Sequence, residues 1–390
     1  MEFDFDREID RRGTDSVKWD LVQRLGKRGD TLPLWVADMD FPSPQCVIDA
    51  LQRRAAHGIF GYSAPGEDYY EAVAAWFRER FGWETQPEWL VRTPGVVFAI
   101  SAAVRALTEP GDAVLVLTPV YYPFYRAIRS NGRALVESEL LYRDGRYEID
   151  FADVERKVRD RKVKMCILCS PHNPVCRVWT REELRTLGDI CGRHGVTVVS
   201  DEIHCDFAFP EHPHTMFPQA CPELADRTVV CTAPSKTFNL AGLQTSNIWI
   251  PDGGLRRKLR DEIERAGGGE LNAMGLTAAK AAYEGGGPWL EACRAYLRGN
   301  LDYLRVFLRE TLPEIRLVEP DGTYFAWLDC SALGLDPRAL DALVSERAGL
   351  WLDAGEMFGE GGAQFQRMVL ACTRRTLEEA LRRLERAVHA

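Results

Sequence analysis

Short apolar runs alternate with helical patterns between residues 91 and 250 of the chain. The runs are five to seven residues long and rich in β-branched residues, which is typical of strands buried on both faces. They are residues 113–117, 163–169, 196–200, 228–232 and 246–250. Between two of these runs, Thr180 and Glu183 have the spacing of a capping box and predict a helix that extends to Arg193. Strands that alternate with helices favour a parallel sheet covered by helices. The sequence therefore predicts an α/β fold with a mostly parallel sheet.

The C-terminal third has a different pattern and indicates a second, smaller domain. Its predicted elements are a long amphipathic helix over 289–310, a strand pair at 315–318 and 324–328, and helices near 338–348 and 377–388. A chain of 390 residues is long enough for two domains. We predict a large α/β domain over 45–285 and a small α+β domain over 286–390. The N-terminal segment, 1–44, is predicted to be irregular and to pack on the small domain.

The net charge and the cysteine content of the chain argue against several classes of function and cellular location. The net charge of −9 argues against nucleic acid or an anionic membrane as the main partner. No window reaches the apolar length of a transmembrane helix. Eleven cysteines without a secretory signal predict reduced thiols in a cytoplasmic protein. Cys166 and Cys169 form a C-x-x-C pair, but residues three apart in a strand point to opposite faces, so no metal is predicted. His212 and His214 flank a proline and are predicted to lie in an exposed loop.

Lys236 is the only charged residue between residues 228 and 251. The apolar run before it is broken at Pro234, so Lys236 is predicted to lie in a turn after a buried strand. A lysine held away from water loses its preference for the charged form, and it can act as a base or bond to a carbonyl carbon. A surface lysine on a loop is the alternative interpretation.

Four polar residues follow four separate predicted strands. They are Tyr121, Asn173, Asp201 and Lys236. Ligands of open α/β sheets bind beyond the carboxyl ends of the strands, so we expect these residues to share one edge. Gly95 precedes a predicted helix over 96–107, whose free N–H groups suit a phosphate. These residues fit the cofactor pyridoxal 5′-phosphate. The aldehyde of this cofactor needs an amine, such as that of Lys236, and its ring nitrogen needs a carboxylate, such as that of Asp201. A structural ion pair is the alternative for Asp201.

Several motifs carry a resemblance to a known family. SPHNPVCRVWT (170–180), SDEIHCD (200–206) and APSKTFNLAGL (233–243) resemble the signature of fold-type-I pyridoxal-phosphate enzymes. With KWD, LWVADMDFPSP, HGIFGY, PGVV and TPVYYPF, in this order, they resemble the cystathionine β-lyase/C–S lyase branch (MalY/PatB type) of the class I/II aminotransferases. The likeness extends over nearly the whole chain. It implies an aspartate-aminotransferase-like fold and a homodimer with shared active sites.

The resemblance also implies roles for individual residues. Lys236 would bind the cofactor covalently, Asp201 would pair with its ring nitrogen, and Asn173 would donate to its phenolic oxygen. The other cofactor contacts would be Tyr121 and His204 at the ring, the Val96 and Val97 amides and the Ser235 hydroxyl at the phosphate, and Tyr62 reaching the phosphate from the neighbouring subunit. Arg374 would bind the α-carboxylate of the substrate through two hydrogen bonds, and Ala37 would also contact the substrate. A surface arginine is the alternative for Arg374, and ordinary packing with Tyr122 is the alternative for Tyr121.

The reaction implied by the resemblance is α,β-elimination on an L-cysteine S-conjugate such as cystathionine, which yields a thiol, pyruvate and ammonia. An aminotransferase with the same residues is one alternative. A regulatory binding protein is another, because the branch includes members with a protein-interaction role. Three residues depart from the branch: Cys176 replaces a glycine, Val369 an asparagine and Thr373 a proline. These departures leave the substrate open.

Overall fold

The computed structural model describes residues 3–268 and 270–390. The helices are α1 (Val17–Arg24), α2 (Gln45–His57), α3 (Glu67–Phe81), α4 (Val96–Leu107), α5 (Pro123–Arg129), α6 (Phe151–Asp160), α7 (Arg181–Arg193), α8 (Phe217–Ala220), α9 (Pro234–Thr237), α10 (Gly253–Arg265), α11 (Ala273–Gly285), α12 (Gly287–Thr311), α13 (Pro337–Ala342) and α14 (Arg374–His389). The strands are β1 (Leu32–Pro33), β2 (Leu90–Thr93), β3 (Ala113–Thr118), β4 (Ala134–Glu139), β5 (Leu141–Arg143), β6 (Arg146–Glu148), β7 (Val163–Cys169), β8 (Thr197–Asp201), β9 (Thr228–Thr232), β10 (Ser246–Trp249), β11 (Arg316–Val318), β12 (Phe325–Asp329), β13 (Leu350–Trp351), β14 (Asp353–Ala354) and β15 (Phe365–Val369).

The predicted α/β architecture is confirmed by a seven-stranded sheet in the order β2-β10-β9-β8-β7-β3-β4. Its strands are parallel from β9 to β4, whereas β10 is antiparallel to both of its neighbours. Successive residues of β3 enter different cores, as the alternation of a strand requires. Val114 and Val116 pack with α4, and Leu115 and Leu117 pack with residues of α6 and α7. The sheet is therefore covered on both faces.

A second, four-stranded antiparallel sheet has the order β11-β12-β15-β14. It shares a core with α12 and α14, to which Leu304 and Leu381 contribute. The short strand β1 pairs in parallel with β13, through Leu32 and Leu350, so the N-terminal segment contacts this part of the chain. The domain bounds proposed from the sequence stay a prediction.

Three local expectations can be compared with the structure. Thr180 and Glu183 form the predicted capping box at the start of α7. The N-terminal segment is less irregular than predicted, because α1 begins after Ser16, whose side chain accepts from the Trp19 amide. The helix predicted near 338–348 consists of α13 followed by a wider helical turn.

Among the residues that the structure describes, no helix combines the length and apolar character needed to cross a membrane.

Candidate active site

Lys236 lies in α9, a single helical turn that follows β9 after Ala233. Its Nζ donates a hydrogen bond of 2.7 Å to the carbonyl oxygen of Ala37, which also accepts from the Tyr324 hydroxyl at 3.2 Å. Removal of the amine from water lowers the pKa of Lys236 to about 8. The amine can therefore lose or accept a proton near neutral pH. Ala37, predicted to contact the substrate, lies beside it.

Asp201 ends β8 and is buried. Its carboxylate accepts from the backbone N–H of Ile203 at 3.2 Å, and no other hydrogen bond to it occurs among the described residues. Burial raises the pKa of this carboxyl to about 7. A partner that carries a positive N–H would favour the ionised form, so Asp201 suits such a ligand.

His204 follows Asp201 by three residues and is buried against the rings of Tyr324 and Phe325. Its Nδ1 is buried, and within the described part of the chain it has no hydrogen-bond partner. Burial holds the pKa of His204 well below its ordinary value. A buried ring nitrogen without a partner is a place where a bound group could supply the missing hydrogen bond.

Asn173 is joined to an arginine that the sequence analysis did not select. The Arg367 Nη1 donates to Asn173 Oδ1 at 2.8 Å, and Nη2 donates to the Trp35 carbonyl oxygen at 2.9 Å and to Asp353. The Arg367 side chain is 3% exposed, and it lies in β15, between strands of the second sheet. The Asn173 amide oxygen is thus occupied, which leaves its NH₂ group to donate to a ligand.

Arg374, predicted to bind the substrate carboxylate, does not join this group. It begins α14, and its guanidinium lies 4.7 Å from the centre of the Tyr303 ring, with Nε donating to Asn300 Oδ1 at 2.9 Å. Both partners belong to α12. The substrate-binding role of Arg374 stays a prediction, whereas Arg367 is the arginine that contacts Asn173.

The proposed phosphate contacts lie at two helix starts. Val96 and Val97 open α4 after Gly95, and the first N–H groups of a helix have no intrahelical acceptor. Ser235 is half-buried within α9, one residue before Lys236. Helix α4 packs against β8, β9 and β10. These positions are compatible with an anion, and the specific contacts stay a prediction.

Two aromatic predictions have different surroundings. Tyr121 follows β3, partly buried, with its ring 5.5 Å from that of Tyr122 and 5.8 Å from that of Phe124. Burial raises the pKa of the Tyr121 hydroxyl, so the phenol stays neutral. Tyr62 is 96% exposed, next to the exposed side chains of Ile59 and Phe60. Such an apolar segment, open to solvent in one chain, is suited to contact with another chain.

Two further expectations concern residues near Asp201 and Asn173. His214 was expected in an exposed loop, but its ring is buried because Nε2 bonds to Glu202 Oε2 at 2.7 Å. Cys176 has a φ of +60°, a backbone region that glycine adopts more readily, which accounts for glycine as the usual residue there. Its buried thiol lies 3.2 Å from the Thr323 hydroxyl, and burial raises the pKa of the thiol to about 12. It therefore adds no reactive thiolate.

Comparison with known proteins identifies relatives along the full chain. The model of the family "Aminotransferase class I and II" matches residues 30–384. The chain is 46% identical over 384 residues to cystathionine beta-lyase PatB of Bacillus subtilis, covering 98% of this chain and 99% of that protein. It is 35% identical to protein MalY of Escherichia coli, covering 100% and 99%. The crystal structure of cystalysin from Treponema denticola, which contains a pyridoxal 5′-phosphate cofactor, has a TM-score of 0.97 and 38% identity, covering 100% and 99%.

Proposed function

Because the chain belongs to the class I and II aminotransferase family, we propose that it is a pyridoxal-5′-phosphate-dependent C–S β-lyase. The substrates would be L-cysteine S-conjugates such as cystathionine, and the products a thiol, pyruvate and ammonia. The 46% identity to cystathionine beta-lyase PatB supports this class of reaction. The observation that carries the proposal is the position of the Lys236 amine, on the turn after β9 and 2.7 Å from the Ala37 carbonyl oxygen. Burial lowers the pKa of this amine to about 8, which suits proton transfer at neutral pH. The free cysteines favour the reducing cytoplasm as its location.

The residues around Lys236 fit this cofactor because several of their polar atoms lack hydrogen-bond partners among residues 3–268 and 270–390. Asp201 would hold the protonated ring nitrogen, and its carboxylate has a single backbone donor in the described chain. The NH₂ group of Asn173 would donate to the phenolic oxygen, and Tyr121 and His204 would lie against the ring. When bound, the cofactor draws electrons away from the α-carbon of the substrate and so makes its proton acidic.

The protein itself has three tasks in the reaction. Arg367 would bind the α-carboxylate and fix the orientation of the substrate, as guanidinium groups do for carboxylates. Lys236 would take the proton from the α-carbon, and the Cβ–S bond would break with its electron pair leaving on sulfur. Asp201 would stay ionised and stabilise the positive charge on the ring nitrogen of the cofactor. Hydrolysis of the remaining three-carbon fragment gives pyruvate and ammonia.

We also propose that two subunits share each site. The amides of Val96 and Val97 and the hydroxyl of Ser235 would bind the phosphate within one chain, and Tyr62 would reach it from the other chain. The high exposure of Tyr62 supports this arrangement. Mixing Tyr62→Ala and Lys236→Ala subunits tests it, because a mixed dimer would contain one intact site and regain about half of the activity of a wild-type dimer. No regain at all would contradict sharing.

Pyruvate release tests the proposed reaction. Purified protein incubated with cystathionine should release pyruvate and thiol without any added keto acid, and Lys236→Ala should release neither. A reaction that requires a keto-acid acceptor would instead identify an aminotransferase. Equal turnover by Lys236→Ala would refute the role of the lysine.

A further inference from the structure

A buried hydrogen bond ties the residue after Lys236 to an acid outside the site described above. The Thr237 hydroxyl donates to Asp206 Oδ2 at 2.7 Å, and both residues are buried. The same carboxylate is held from α3, where Trp76 Nε1 donates to Oδ1 at 3.1 Å and Arg80 Nε donates to it at 3.0 Å. Asp206 thus joins α3 to the turn that carries Lys236.

The turn depends on such contacts for its position. Helix α9 has four residues, and a helix of this length is not stable by itself. Lys236 and Thr237 are adjacent, and their side chains have separate anchors. The amine is held by the Ala37 carbonyl oxygen, and the hydroxyl is held by Asp206. Two anchors on successive residues fix both the location of the turn and the direction of the lysine.

The geometry points to Thr237 and Asp206 as positioning residues for Lys236, an inference that rests on the proposed function. Neither side chain needs to touch substrate or cofactor for this. Proton transfer and bonding to a carbonyl both require the amine at a defined point, and a displacement of ~1 Å can cost ~10²-fold in rate. Loss of the Thr237 hydroxyl bond should therefore reduce turnover without reducing substrate affinity.

The experiment compares three variants of the full-length protein. Thr237→Val keeps the shape of the side chain and removes the donor, whereas Thr237→Ser keeps the donor. Tyr69→Phe is the matched control, because it removes another buried hydroxyl bond, from Tyr69 to Asn247 Oδ1 at 2.9 Å. For each protein we would measure kcat and KM, the thermal midpoint of the apoprotein, and the rate at which the apoprotein takes up pyridoxal 5′-phosphate, followed by absorbance.

Thr237→Val should lower kcat about 10- to 100-fold, slow cofactor uptake by a similar factor, and leave KM unchanged. Thr237→Ser should restore both rates. Tyr69→Phe should lower the thermal midpoint as much as Thr237→Val does, with normal rates. The inference is overturned if Thr237→Val keeps the wild-type kcat and the wild-type rate of cofactor uptake. It is also overturned if Tyr69→Phe lowers kcat or the uptake rate as much as Thr237→Val does.

The uptake measurement separates this inference from the proposed function. Uptake requires the Lys236 amine but no substrate, so it reports the position of the lysine even if the lyase assay fails. Wild-type protein that takes up the cofactor without releasing pyruvate would refute the lyase reaction alone. In that case the comparison of Thr237→Val with Thr237→Ser would still decide whether Thr237 positions the lysine.

Discussion

Replacing Arg367 by lysine tests which arginine binds the substrate carboxylate. Arg367 lies beside Asn173 and makes hydrogen bonds through both terminal nitrogens, whereas Arg374 lies over Tyr303 on α12. Lysine keeps the positive charge next to Asp353, so the buried carboxylate of Asp353 keeps a cationic partner. Lysine cannot, however, offer the planar pair of donors that matches a carboxylate.

The size of the effect follows from the lost hydrogen bond. A hydrogen bond to a charged group contributes about 1.5–3 kcal/mol, and each 1.36 kcal/mol corresponds to a tenfold change in rate or affinity. Arg367→Lys should therefore lower kcat/KM about 10- to 150-fold, because the substrate loses one of the two donors. Most of the change should appear in KM, since a carboxylate is bound in the ground state as well as in the transition state.

Initial rates of pyruvate release over a range of cystathionine concentrations give both constants. The control is Arg374→Lys, which changes the same residue type at the position that the sequence had suggested. That variant should keep the wild-type kcat/KM. Far-ultraviolet circular dichroism and thermal midpoints of both variants check that the fold persists. A normal KM for Arg367→Lys together with a raised KM for Arg374→Lys would refute the structural assignment.

Three further results are expected. The rate of cofactor uptake by the apoprotein should rise with pH and level off above about 8, because only the neutral amine reacts and burial lowers the pKa of Lys236 to about 8; a flat rate between pH 7 and 9 would contradict this. Asp201→Asn should stabilise the apoprotein more at pH 8 than at pH 4. The reason is that the pKa of the Asp201 carboxyl is raised from 3.8 to about 7 in the folded protein, so the wild-type protein loses stability as the pH rises through that interval. Thermal midpoints of both proteins at both pH values measure the difference. Thr180→Ala should lower the free energy of unfolding in urea by about 0.5–2 kcal/mol, and Thr180→Ser should not, because only alanine removes the helix cap.

The sheet could be predicted because its strands are buried on both faces and so appear as continuous apolar runs. Helix α1 could not be predicted, because one of its two buried side chains is a lysine. Lys18 is fully buried, and its amine lies 2.7 Å from Asp40 Oδ2, far along the chain. His214 is a similar case, buried through its bond to Glu202. A polar residue whose partner is distant in sequence gives no periodic signal, so its burial cannot be inferred from local pattern.

The candidate site shows which signals in a sequence carry information about chemistry. Lys236 is a lone charge after an apolar strand, and the structure holds its amine 2.7 Å from the Ala37 carbonyl oxygen. Arg367 has the same signature, as the only charged residue of the buried strand FQRMV. Arg374 is not an isolated charge, because it begins an amphipathic helix and has another arginine beside it. A buried strand tolerates a charge only when a partner or ligand stabilises it, whereas an exposed helix start tolerates arginine without one. The isolation of Arg367 in a buried strand therefore predicts a partner or ligand more strongly than the position of Arg374 at a helix start does.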